Sequence, residues 1–216
     1  EESTVEKIAP NGDVILVVGT EKKRIQIHSD FLRLVSPNFD VMLPSQISMP
    51  YDSRELYEME LPDDDGQTMS QLLRILYGGD PEVDGLKPRN ILQISILAHK
   101  YAITPRISSQ GIVWLQTTEM YTSEEFWCLL NASFWLGLSV EFHQISKEVV
   151  RFQTISLLKM ANGTTDVLLG FRLALALEEL QKYKGRGLCL HCFKTATTQF
   201  LQRGAQCPAS KLHKAA

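Results

Sequence analysis

The residues best suited to chemistry stand near the end of the 216-residue chain. Cys189-Leu190-His191-Cys192 has the C-x2-C spacing that lets two thiolates reach one tetrahedral metal ion. Cys207 and His213 follow, and would complete a Cys3His set for a structural zinc. Against this, the gap from Cys192 to Cys207 fits no common zinc finger, and His191 competes as the fourth ligand. Reduced thiols packing a terminal helix are therefore the favoured reading, with zinc as the alternative. No other cofactor is expected. Cys128 stands alone in a helical stretch, and a secreted disulfide scaffold would spread its cysteines more widely.

The same stretch is basic. Lys182 to Ala216 carries seven Lys or Arg and no Asp or Glu. Taking those seven from the 22 basic residues leaves 15 against 25 acidic ones elsewhere, or −10. Such a charge can attract nucleic acid or an acidic partner. It can equally form a solvated face or pair with the acidic remainder. Few aromatics interleave it beyond Phe193 and Phe200, so nucleic acid is disfavoured.

Two other groupings invite a catalytic or metal reading. Asp13 and His28-Ser29-Asp30 contain triad residue types, but adjacency in sequence says nothing about triad geometry. The simpler expectation is a satisfied Asp and His at a strand–helix junction. Asp63, Asp64 and Asp65 could hold a cation, yet helix capping by Asp65 and a favourable helix dipole account for them. There is no phosphate-binding glycine loop, HExxH or nucleophile elbow, so no catalytic residue is assigned and no enzyme is expected.

The elements that must position these residues follow from periodicity. Asp13 to Val18 is a continuous β-branched run, the pattern of a strand buried on both faces. Gly19 to Lys22 is a turn, and Lys23 to Ile27 the returning strand. Ser29 is expected to cap one short helix and Ser36-Pro37 to open the next. Phe31, Leu34, Val35, Phe39, Met42 and Leu43 are expected to face one core. Pro44 to Arg54 reads as loop, and Tyr57 to Leu61 as a strand with one wet face. A helix then runs from Met69 to Tyr77 and ends at Gly78-Gly79. Asp80 to Pro88 reads as loop. The next helix buries Ile91, Ile94, Leu97, Ala98 and Tyr101, and another begins at Thr104-Pro105.

After about Thr118 the strand signals stop. Thr122-x-x-Glu125 is a capping box before an aromatic-rich helix. Ser139 opens a second, with Phe142, Ile145, Val149 and Phe152 on one face, and Thr165-Asp166 a third, to Tyr183. The expected organisation is 1–118, an α/β (α+β) domain with a small sheet packed on a helical cluster; 119–183, a helical extension; and 184–216, a basic Cys/His-bearing tail.

This order of elements strongly resembles the BTB/POZ domain. Asp13 stands at the family's strand Asp, and His28 at its "H-S" step into the first helix. Ser36-Pro37-x-Phe39 matches its "S-P-x-F" element. Tyr77-Gly78-Gly79 matches its "Y-T-G" turn, with Gly78 in place of Thr, and Leu97-Ala98-x-x-Tyr101 its "L-A-x-x-Y" helix. The LPDDD sequence before the helix is most similar to BTB proteins abundant in filamentous fungi. The resemblance implies a protein–protein interaction module, with protein partners that include a second copy of the chain. It raises two alternatives. One is an adaptor of a cullin-type ubiquitin ligase, although the hydrophobic-x-Glu element of many cullin binders is missing from Asp63 to Gly66. The other is a zinc- and nucleic-acid-binding transcriptional regulator acting through the tail.

Composition fits this frame, since 44% hydrophobic and 22% charged residues are ordinary for a globular chain. No apolar run approaches bilayer length and no signal-peptide pattern opens the sequence, so an intracellular protein, cytoplasmic or nuclear, without a membrane partner is expected. The triplets at Asn131 and Asn162 are read as chance matches to the glycosylation pattern.

Overall fold

A computed structural model of the chain describes residues 4–45, 56–78, 83–116, 121–183, 185–201 and 207–213. Most of the expected loop from Pro44 to Arg54, and Gly79 of the expected turn, lie outside them. The chain forms two compact units. The first comprises residues 1–86 and 93–107, and the second residues 87–92 and 108–216.

The first unit is built on a four-stranded mixed sheet of order β1-β3-β2-β4, where β1 is Glu6–Lys7, β2 Val14–Val18, β3 Lys23–Ile27 and β4 Tyr57–Leu61. The central strand β2 is buried at every residue, as its unbroken apolar run requires. It pairs antiparallel with β3, Leu16 opposite Ile25, and parallel with β4, Leu16 opposite Met59. β1 adds a short parallel edge on the far side of β3. Its Glu6 carboxylate accepts from the Ser70 hydroxyl at 2.6 Å and pairs with Lys23 and Arg74.

Helix α1 spans Ser29–Val35 and α2 spans Pro37–Met42. The expected Ser29 cap is corrected. His28 holds the cap position without a side-chain bond, and Ser29 is the first helical residue. The capping oxygen comes instead from β2's approach, where Asp13 Oδ1 accepts the Ser29 amide at 2.7 Å and Oδ2 accepts its hydroxyl at 2.6 Å. The expected core set is corrected as well. Leu32, Val35, Phe39 and Leu43 are buried, but Leu34 is 67% and Met42 45% exposed. On helices this short one face alone is buried, and the i, i+3 and i, i+4 pairs 32/35 and 39/43 define it, leaving 34 and 42 turned away.

Helix α3, Gly66–Leu76, starts three residues before the expected Met69, because Asp65 caps it by accepting the Thr68 amide at 2.7 Å. The helix gives way to Gly78 at φ +72°, a left-handed conformation that favours glycine. A 3-10 turn at Val83–Gly85 occupies part of the expected loop before helix α4, Pro88–Lys100. Helix α5 is Thr104–Trp114.

The second unit is helical. Helix α6, Ser123–Leu136, carries the complete capping box between Thr122 and Glu125 and ends at Gly137 with φ +71°. Helix α7 is Ser139–Arg151 and α9 is Val167–Gln181, capped by Asp166. Between them lies an unexpected short helix α8, Leu157–Asn162, and beyond them α10, Leu190–Thr195, followed by a 3-10 turn at Ser210–His213. Leu188 to Leu190, Cys192 and Phe193 are all buried. Asn131 is fully buried, which leaves no room for a glycan.

Candidate functional site

In the first unit the motif residues build the fold from inside. The Ser36 hydroxyl accepts the Phe39 amide at 3.0 Å and donates to the Tyr101 carbonyl at 2.6 Å. Pro37 takes the first helical position of α2. The Phe39 and Tyr101 rings stack at 4.4 Å, and Ala98 is fully buried. Tyr77 packs its ring on Phe31 at 4.1 Å, and burial raises its phenol. His28 is exposed, and the Asp13 carboxylate is taken up by Ser29. Burial pushes the Asp13 carboxyl upward, but the Ser29 hydroxyl and amide outweigh it and hold the group below its ordinary value.

The three aspartates do not converge. Asp65 caps α3, and bonds from the Thr68 side chain and backbone depress its carboxyl. Asp64 pairs with Lys100 at 2.6 Å and accepts the Tyr101 hydroxyl. Burial and the Asp64 bond push the Tyr101 phenol well above its ordinary value. These groups are committed to each other.

The same unit leaves large apolar side chains in solvent on its first helical pair: Leu34 on α1, with Val41 at 86% and Met42 on α2. The second unit has its own exposed stripe on α9, where Leu168, Phe171 and Leu175 recur at helical spacing.

In the second unit the structure brings Cys189, Cys192, Cys207 and His213 together. One ligand atom from each lies within 4.8 Å of all the others. Cys207 Sγ is 3.7 Å from both Cys189 Sγ and Cys192 Sγ, and His213 Nε2 is 3.5 Å from Cys192 Sγ. Cys189 and Cys192 are one turn apart at the start of α10, so both face the same side. His191, two residues from Cys189, is exposed and outside the cluster. All four cysteines are free thiols. Burial, then the neighbouring sulfurs, push Cys192 up to about 12, and burial likewise raises Cys189.

Three residues that spacing did not reveal hold this region in place. His143 of α7 is buried, hydrogen-bonds the Leu212 backbone next to His213, and is lowered to about 4 by burial, with Lys147 and His213 adding to the effect. Arg172 of α9 donates to the Phe193 carbonyl at 2.8 Å and lies over the Phe193 and Phe200 rings. Glu179 of α9 accepts the amides of Phe200 and Leu201 at 3.0 and 3.1 Å. No motif marks them, because each acts through backbone groups far away in sequence. The basic residues Arg186 and Lys194 lie over the Tyr183 and Phe134 rings. No helix among the described residues is long and apolar enough to cross a membrane.

Residues 9–110 match the family model described as the BTB/POZ domain, which spans all the motif positions above. No curated protein matches the chain.

Proposed function

We propose that the chain, whose residues 9–110 are a BTB/POZ domain, works by binding a second copy of itself through that domain. BTB/POZ domains are interaction modules, not enzymes, and they mediate partner binding and self-association. The observation that carries the finer reading is the set of apolar side chains that α1 and α2 leave in water: Leu34, Val41 and Met42, exposed 67%, 86% and 45%. Scattered single exposures need no explanation, but three on one helical pair beside a fully packed core favour burial against a partner. Two arginines nearby are already used. Arg33 bonds Asp40 and the Pro44 carbonyl, and Arg106 donates to the Leu34 carbonyl at 3.0 Å.

The test is sedimentation of the full chain over a range of concentrations, beside Leu34→Glu/Val41→Glu and Leu168→Glu/Leu175→Glu variants. The expected result is a dimer that the first variant makes monomeric with unchanged thermal unfolding. A wild-type monomer at every concentration would overturn the reading. So would a dimer that only the α9 variant dissociates, which would move the interface to the helical unit.

A further inference from the structure

We propose that Cys189, Cys192, Cys207 and His213 hold one structural zinc ion. This stands apart from the self-association above, because no residue is shared.

The spacing of the donor atoms carries the inference. Zinc binds thiolate sulfur at about 2.3 Å and imidazole nitrogen at about 2.0–2.1 Å, in a tetrahedron. A tetrahedron with those bond lengths has sulfur–sulfur edges of about 3.8 Å and sulfur–nitrogen edges of about 3.5 Å. The structure has two sulfur–sulfur separations of 3.7 Å and a sulfur–nitrogen separation of 3.5 Å, all within one group of four donors. These three edges link all four donors, and the other separations stay within 4.8 Å, which keeps the four close enough to share one ion.

Two competing explanations fit less well. A disulfide joins two sulfurs at about 2.05 Å and singles out one pair. Here Cys207 is equally far from Cys189 and from Cys192. Apolar packing of thiols needs no imidazole, yet the nitrogen Nε2 of His213 faces Cys192 Sγ. The choice of histidine is also selective, since the nearer His191 lies exposed.

The ligands sit on held backbone. The Phe193 amide closes the turn on the Cys189 carbonyl at 2.9 Å. The 3-10 turn that ends in His213 is tied by the Ser210 amide to the Cys207 carbonyl at 3.0 Å and by Leu212 to Ala209 at 2.9 Å. Buried His143 lies against the Leu212 backbone, next to the His213 ligand. Three sulfurs and one nitrogen are soft donors that suit zinc over calcium or magnesium. Four protein ligands leave no open position, so the ion is structural and not catalytic. Binding releases the three thiol protons to solvent, and the neutral imidazole coordinates without losing one.

The experiment uses the full chain, kept reduced and purified without chelator. Zinc is counted by elemental analysis, and Co2+ alone is then titrated into the metal-free chain. One zinc per chain is expected. Co2+ should give the absorption of a tetrahedral thiolate site. Cys207→Ser and His213→Ala should each weaken Co2+ binding by more than about 100-fold, beyond the ~10–100-fold seen when merely a supporting neighbour is lost. His191→Ala should leave it unchanged. The wild-type cobalt spectrum decides even where a variant fails to fold. A reduced wild-type chain with neither zinc nor a tetrahedral cobalt spectrum overturns the proposal. So does loss of binding in His191→Ala with retention in His213→Ala.

Discussion

The Ser36 hydroxyl donates to the carbonyl of Tyr101, 65 residues later, at 2.6 Å while accepting the Phe39 amide at 3.0 Å. One fully buried hydroxyl therefore starts helix α2 and ends the run of α4. Ser36→Ala removes both bonds and leaves a buried carbonyl unpaired. The expected cost is about 2–3 kcal/mol, more than the ~1 kcal/mol of a solvent-facing cap. Urea unfolding measures it, and a loss within 0.5 kcal/mol, roughly the range of an ordinary surface substitution, would contradict the double role.

Asp64 and Tyr101 should be coupled. The Asp64 side chain is 5% exposed, pairs with Lys100 and takes the Tyr101 hydroxyl. Asp64→Ala and Tyr101→Phe are each expected to cost about 1–3 kcal/mol. The double variant should fall short of their sum by at least about 0.5 kcal/mol. Additive effects would mean that the hydroxyl finds another partner.

Acid should unfold the first unit through named carboxylates. Glu6, Asp13 and Asp65 are all held below their ordinary values of 4.5, 3.8 and 3.8. A group depressed in the folded state stabilises it fully above its unfolded value, and that stability is lost as pH falls through the folded value. Unfolding midpoints should be flat from neutral pH to about 5 and drop below that. Asp13→Asn should be less stable than wild type at pH 7, with the difference narrowing in acid. A constant difference from pH 7 to 3 would show that the Asp13 charge contributes nothing.

Gly187 tests how tightly the chain beyond α9 is docked. A Cβ there would lie 2.0 Å from the His143 carbonyl oxygen, a backbone atom that cannot swing aside. Gly187→Ala should cost at least the ~1–3 kcal/mol of an overpacked core, read as a lowered melting temperature. An unchanged melt would place this segment away from α7.

Much of the fold was legible because it is written locally. The β2 run, the Thr122–Glu125 capping box and the Ser36-Pro37 start each carry their signal within a few residues. Leu34 and Met42 defeat the periodicity for the opposite reason. An apolar residue on a helix of six or seven residues has too few neighbours to show which face is wet. Ser29 reads as a cap in the sequence because the true acceptor, Asp13, arrives from the distant start of β2. The Cys/His set shows the same limit. Spacing could pair Cys189 with Cys192, but choosing His213 over His191 requires the chain to fold back, through contacts such as those of Arg172 and Glu179 that no local pattern shows.

Phe193 is 1% exposed because it is a plug. Its ring closes on Phe134, Phe142 and Phe200 at 5.7, 5.5 and 5.5 Å. A chain shortened after Gly187 would keep α6 and α7 yet strip the lid from Phe142, which is now fully buried. Such a fragment would be sticky, not merely smaller. Its solubility would fail before its fold did, so deletions meant to probe the basic segment report on a bared aromatic hole as much as on lost charge.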